Sequence, residues 1–398
     1  NGKPIRIFAR YGHPEGKGPF PGALYVHGGG GTASAAEVVD MVRRGYACLS
    51  FDWTGPRKKR KEYTDWPEGV GSSYAFGKEN RLYHAVCAAM RGVTFLKRRP
   101  EVDSDRIGEF GISWGGYITW LLNAVETRLT CCVAIYGCGA IREPGHPPRT
   151  YTKAYEGKWR VLESNFEPQN AGPFQKAPIL YLTGLNDFFG WPRAGTRLLK
   201  TVTVPHWQVF SPGINHGVDP QAARTAYAFF DRYMKGGGAL PTSPALELSV
   251  DPKTDRLRAT IAVDHPDDVE AVRLDYSLGE AHDPGRCWRF LSVDGDGAIR
   301  TVAVPVFDPD QPVVATAQVT YKDGYRLSSL LVEVTPPALR GVKATLEPKR
   351  TLGDFSKGLD GWSADYQSVH LFGQKRALAI DPDGFEGKPC LKIVPLSE

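Results

Sequence analysis

The chain has 398 residues, 41% hydrophobic and 23% charged, and a formal net charge of +5. This is the balance of a globular protein long enough for two or three domains. So mild a charge gives no reason to expect a nucleic-acid partner, and no apolar run nears the roughly 20 residues that cross a bilayer.

Residues 5–10 and 23–27 read as strands joined by a Gly/Pro-rich turn, and the second ends in His27-Gly28-Gly29-Gly30-Gly31. A glycine run straight after a buried strand lets main-chain N–H groups approach a ligand closely. Residues 33–44 have helical spacing, residues 46–53 form the next strand, and residues 54–78 make a long loop. That loop carries Arg57-Lys58-Lys59-Arg60-Lys61 followed by Tyr63, Trp66, Tyr74 and Phe76. It suits either a solvated surface or a hold on an acidic or sugar-like substrate. A helix over 80–98 ends at Pro100.

Residues 106–112 are a short apolar strand and 115–125 a buried helix, with Gly111-Ile112-Ser113-Trp114-Gly115 between them. A G-x-S-x-G at a strand-to-helix turn is the setting of an exposed nucleophilic serine. Flanking glycines remove the Cβ atoms that such a sharp turn cannot fit. Residues 129–136 are another strand, 141–177 an insertion long enough for a cap, and 178–183 a strand ending in Gly184-Leu185-Asn186-Asp187. Residues 207–210 form the last strand of this series, Ser211 to Gly217 carries His216, and 222–234 is a closing amphipathic helix.

Strand–helix alternation over residues 20–235 implies a doubly wound, mostly parallel α/β sheet whose site lies at the carboxyl ends of its strands. His27, Ser113, Asp187 and His216 all fall at or just after such ends. From residue 245 the texture changes to alternating strands with no helix between them, a β-sandwich. A short β module closes the chain. The domains are expected at 1–242 (catalytic α/β), 243–338 (β-sandwich) and 339–398 (partial β module). Seven cysteines, an odd number with no zinc-site spacing, read as buried free thiols rather than a disulfide framework.

Gly111-Ile112-Ser113-Trp114-Gly115-Gly116, His27-Gly28-Gly29-Gly30, Asp187 and His216 resemble the α/β-hydrolase superfamily in the order Ser, acid, His. The resemblance covers about residues 1–240. Within the superfamily the chain is similar to bacterial acetyl xylan esterases and dienelactone-hydrolase-like proteins, although typical dienelactone hydrolases use a cysteine where this chain has Ser113. Residues 355–362, Phe-Ser-Lys-Gly-Leu-Asp-Gly-Trp, resemble the start of a carbohydrate-binding jelly roll.

The resemblance implies a serine ester hydrolase needing no cofactor or metal. Ser113 is its nucleophile, His216 its base and Asp187 its acid, with Asp219 as a rival acid and Asn186 as a supporting residue. Main-chain N–H groups of Trp114, Gly28 and Gly29 would form the oxyanion hole. Trp53, Trp66, Tyr136, Phe188 and Trp191 are candidate substrate contacts. Trp114, Phe188 and Trp191 would wall a small acyl pocket suited to acetyl, and Trp66, Tyr74, Tyr151, Tyr155 and Trp159 could stack on sugar. The expected partner is a small-molecule or polysaccharide ester, with neither nucleic acid nor membrane. Compartment and oligomeric state stay open, a polysaccharide substrate favouring a secreted or periplasmic place. Two other readings remain, a prolyl-oligopeptidase-like serine peptidase and a catalytically retired carbohydrate-binding protein.

Overall fold

A computed structural model describes residues 4–57, 61–67, 69–70, 77–140, 156–237, 240–279, 283–345, 376–381 and 390–395. Seven strands form one sheet: β1 (Ala9–Gly12), β2 (Phe20–Val26), β3 (Ala47–Phe51), β4 (Val102–Ile112), β5 (Cys131–Ile135), β6 (Ile179–Gly184) and β7 (His206–Ser211). Their order is β1-β3-β2-β4-β5-β6-β7. Only β1 runs antiparallel to its neighbour. The fully buried β3, β5 and β6 are near-continuous apolar runs, as strands covered on both faces must be.

Helices α1 (Ala35–Arg43), α2 (Arg81–Lys97) and α3 (Trp114–Val125) follow β2, β3 and β4. The insertion before β6 contributes α4 (Glu156–Asn165) and α5 (Pro168–Ala171). Next come α6 (Pro192–Leu199), which the sequence reading did not anticipate, and α7 (Pro220–Lys235). Helix α6 contains Gly195 and Thr196, poor helix formers. Packing holds it: a Cβ on Gly195 would lie 2.3 Å from the Tyr181 ring, so only glycine lets the helix sit this close to β6. Its readable signal was Pro192 at the first helical position.

Among the described residues the β-rich region has eight strands. β8 (Ala245–Asp251), β9 (Arg256–Ala262) and β12 (Ile299–Ala303) form one sheet. β10 (Val269–Leu278), β11 (Arg289–Ser292), β13 (Val313–Tyr321), β14 (Arg326–Ser328) and β15 (Val332–Val334) form the other. Strand β14 is only three residues long. One apolar cluster joins this region to the α/β sheet, since Trp207, Val209, Phe229 and Met234 pack with Leu257, Val272 and Val319. Residues Asn1–Ala344 accordingly form one compact unit and Thr345–Glu398 another. Within the second, β16 (Arg376–Asp381) pairs antiparallel with β17 (Cys390–Pro395). The jelly-roll-like stretch 355–362 lies outside the described residues. No helix among the described residues is long and apolar enough to cross a membrane.

Candidate active site

Ser113 sits between β4 and α3 with φ 56° and ψ −120°, a backbone state that ordinarily costs a non-glycine residue about 1–3 kcal/mol. The turn is closed by contacts that only glycines permit. A Cβ on Gly115 would lie 2.0 Å from the Val26 carbonyl oxygen, and one on Gly137 2.1 Å from that of Ser113. The Ser113 N–H donates to the Ile135 carbonyl (2.9 Å), tying the turn to β5.

From the end of β6, Asp187 enters fully buried, and its Oδ1 accepts from the N–H groups of Phe189 (2.7 Å) and Gly190 (2.6 Å). His216 comes from the loop after β7. Its Nδ1 lies 3.1 Å and 3.0 Å from the two Asp187 oxygens, and its Nε2 lies 2.8 Å from Ser113 Oγ. A carboxylate only accepts, so Nδ1 carries the hydrogen and Nε2 is left to accept from the serine hydroxyl. Tyr136 and Phe188 pack on the imidazole at 4.4 and 4.6 Å between ring centroids. Such a line can withdraw the hydroxyl proton as Oγ attacks an electrophile. Asp219, the rival acid, caps α7, accepting from the N–H groups of Gln221 (2.8 Å) and Ala222 (2.9 Å), and pairs with Arg326.

The other wall of the site is the glycine loop. A Cβ on Gly28 would lie 3.2 Å from Ser113 Cβ, and one on Gly29 2.5 Å from the Trp114 ring, so the main chain runs against Ser113 and its neighbour. A cavity of about 490 Å³ opens there, lined by His27 to Ser34, Ser113, Tyr136 and His216. Beneath the loop His27 is buried. Its Nδ1 donates to the Gly28 carbonyl (2.7 Å), and its Nε2 faces the Trp53 N–H (3.3 Å) and Asp52 Oδ1 (3.5 Å). Asp52 also accepts from Thr54 Oγ1 (2.9 Å) and from the N–H groups of Gly55 (3.0 Å) and Thr64 (2.9 Å). Burial alone would raise its pKa, but the neighbouring His27 ring and the hydrogen bonds from Thr64, Thr54 and Gly55 hold it down at about 2.

Residues 2–138 match the family model for acetyl xylan esterase. A serine elbow after β4, an acid after β6 and a histidine after β7 on a mostly parallel sheet complete the pattern. The fold is that of the α/β hydrolases. Among curated proteins, the mouse (Mus musculus) peroxisomal succinyl-coenzyme A thioesterase is 24% identical over 240 residues, 54% of this chain and 53% of the relative. The chain therefore spans about half the length of that relative. Among solved structures, an acetyl xylan esterase from Paenibacillus sp. R4 gives a TM-score of 0.49 at 21% identity, over 57% of this chain and 79% of that one. Acetyl xylan esterase 1 from Thermoanaerobacterium sp. JW/SL YS485 gives 0.47 at 19%, over 57% and 78%.

Not every aromatic singled out from the sequence reaches the site. Tyr136 lines the cavity and Phe188 backs His216. Trp53 is 3% exposed, stacked on His27 with Nε1 donating to the His27 carbonyl (2.8 Å), so it supports the glycine loop instead of meeting substrate. Trp66 Nε1 donates to the Trp53 carbonyl (3.0 Å), again a brace. Trp191 is buried with Nε1 on the Phe188 carbonyl (2.9 Å), and Trp114 packs on Tyr117 and Phe189. Trp114, Phe188 and Trp191 are not among the residues lining the cavity beside Ser113. Tyr74, Tyr151, Tyr155 and the side chain of Trp159 lie outside the described residues.

Two features of the site escaped the sequence reading. One is Asp52, whose only local sign was its place at the end of β3. The other is Arg326 on β14, whose guanidinium reaches Ser211 Oγ (3.0 Å), Gln221 Oε1 (3.1 Å) and Asp219.

Proposed function

We propose that the protein is a serine carboxylic-ester hydrolase and that its natural work is removing acetyl groups from a polysaccharide or oligosaccharide. The observation carrying the first part is the unbroken Asp187–His216–Ser113 hydrogen-bond line at a positive-φ serine turn. The match of residues 2–138 to acetyl xylan esterases supports the second. Ser113 Oγ bonds to the ester carbonyl carbon while its proton passes to His216 Nε2. The bond to the alcohol oxygen then breaks, and the alcohol leaves with that proton. Water, deprotonated in turn by His216, releases the acid and restores Ser113. Asp187 keeps the imidazole in the required tautomer and stabilises its cation. Main-chain N–H groups of Trp114 and of Gly28 or Gly29 bind the developing oxyanion, each such donor being typically worth about 3 kcal/mol.

The test is turnover of p-nitrophenyl acetate and release of acetate from acetylated xylan, with an aminoacyl p-nitroanilide as the peptidase control. Ser113→Ala should lose about 10⁴-fold or more in kcat while remaining folded by circular dichroism. Asp187→Asn should lose somewhat less. A Ser113→Ala protein retaining a tenth of the wild-type rate would overturn the reading, and a full-rate Asp187→Asn would move the acid role to Asp219.

A further inference from the structure

A second cavity, about 230 Å³, lies on the α1/α7 face of the sheet and reaches Ile112, the residue before Ser113. Its wall includes Tyr25 from β2, Phe110 and Ile112 from β4, Tyr136, and Ala226 and Phe230 from α7. Tyr25, Ile112 and Tyr136 line this cavity and the one beside Ser113 alike, so the two adjoin at the nucleophile's own strand end. The lining is rich in aromatic rings, with Tyr25–Phe110 and Phe110–Phe230 centroids 5.0 and 5.7 Å apart. An apolar cavity of about 150 Å³ already admits benzene. Acetyl alone would leave most of this space empty.

We propose that this cavity is an acyl subsite, giving the protein a further activity on esters of bulkier apolar acids, of hexanoyl or phenylpropanoyl size. The proposal rests on the ester-hydrolase reading of Ser113. A polysaccharide cannot enter a pocket of this volume, so the alcohol stays on the open side by the glycine loop and the acyl group turns inward. There it is joined to Oγ as the alcohol leaves, and water later frees the acid. Glu37 is the one charged residue among the described residues on this wall; Asp40, one helical turn on, is paired with Arg44 (2.9 Å). A carboxylate facing the cavity disfavours an acyl chain that ends in a second negative charge. The subsite therefore selects neutral acyl chains over dicarboxylic ones.

The test is kcat/KM of the full chain on p-nitrophenyl acetate, hexanoate and phenylpropanoate and on the adipate monoester. Each buried methylene is worth about fourfold, so hexanoate should exceed acetate by about tenfold or more even with partial burial. The adipate monoester should fall well below hexanoate. Ala226→Trp, which fills the cavity from α7, should bring the hexanoate-to-acetate ratio down toward one, and Met41→Trp does the same from α1. If the wild type turns over acetate through Ser113 but hexanoate more slowly, or if both tryptophan variants keep the wild-type ratio, the acyl subsite is overturned while the ester-hydrolase reading stands. Adipate equal to hexanoate would remove the role of Glu37. No turnover of any ester would instead fell the Ser113 reading, and the subsite with it.

Discussion

The glycine loop on one side of Ser113 and the two loops carrying Asp187 and His216 on the other are held in place by different means. The glycine loop on one side rests on its own region: His27, Trp53, Thr54 and Thr64 converge on Asp52 or on the loop carbonyls, all within one strand–helix unit of the sequence. The loops carrying Asp187 and His216 on the other side are held by the β-rich region, about a hundred residues on. Arg326 binds both ends of the segment carrying His216, at Ser211 and Asp219. The Asn186 side chain, next to Asp187, donates to the Arg286 carbonyl (2.9 Å), while its N–H donates to the Ile214 carbonyl (3.1 Å). The β-rich region thus supplies none of the three side chains at the centre yet fixes the spacing of two of them. Ser113 is thus placed by local structure, and Asp187 and His216 by tertiary contacts.

The comparison breaks most visibly at Arg326. Its side chain is only 12% exposed and its partner Asp219 17%. Removing one member of a buried ion pair typically costs about 3–5 kcal/mol, and partial exposure here reduces that to about 2. Arg326→Ala should therefore lower the melting temperature by several degrees. It should also cut kcat by about tenfold with little change in KM, since a displaced His216 weakens the transition state more than binding. Arg326→Lys, which keeps the charge but not the fork, should recover part of the loss. A variant with reduced stability and unchanged kcat would show that the β-rich region only holds the fold together.

The same division explains what the sequence disclosed. Ser113, Asp187 and His216 were legible because each stands at the end of a strand whose apolar run marks it, and the glycines around Ser113 name the turn. Arg326 was illegible because β14 is three residues long and its partners lie more than a hundred residues away. The aromatic residues misled for another reason: Trp53 and Trp191 have the chemistry of a binding surface, but residue type cannot tell a ring that meets substrate from one that braces a loop. Helix α6 was hidden because it is only eight residues long and Gly195 and Thr196 interrupt its helix formers.

On the glycine-loop side the test is acid. Asp52 titrates at about 2, below the ordinary 3.8. Above pH 4 it is ionised in both states and its native hydrogen bonds stabilise the fold. As pH falls through 2 the native carboxylate is protonated and that contribution is lost. Asp52→Asn should therefore be less stable than wild type by about 1–2 kcal/mol at pH 6, the gap narrowing as pH drops below 4. Urea unfolding at pH 6 and pH 3.5 measures it, and a gap that widens toward low pH would contradict the assignment. The kcat should fall only a few-fold, because His27 and Trp53 still hold the loop.

The smallest effect belongs to Arg57, the first residue of the basic run. Its guanidinium donates to the Gly29 carbonyl, so this member of the run supports the glycine loop from outside. Arg57 and Lys61 are both exposed, and Lys58, Lys59 and Arg60 lie outside the described residues. An exposed hydrogen bond of this kind is worth at most about 1 kcal/mol, so Arg57→Ala should lower kcat by about two- to threefold on neutral p-nitrophenyl acetate. Lys61→Ala should leave that substrate untouched. If the run recruits acidic polysaccharide instead, both variants should raise KM for a charged polymer, with a weaker dependence on salt, and leave the small neutral ester alone. A kcat effect confined to Arg57 would place it with Asp52 among the supports of the glycine loop; equal KM effects at Arg57 and Lys61 would make the run a binding surface.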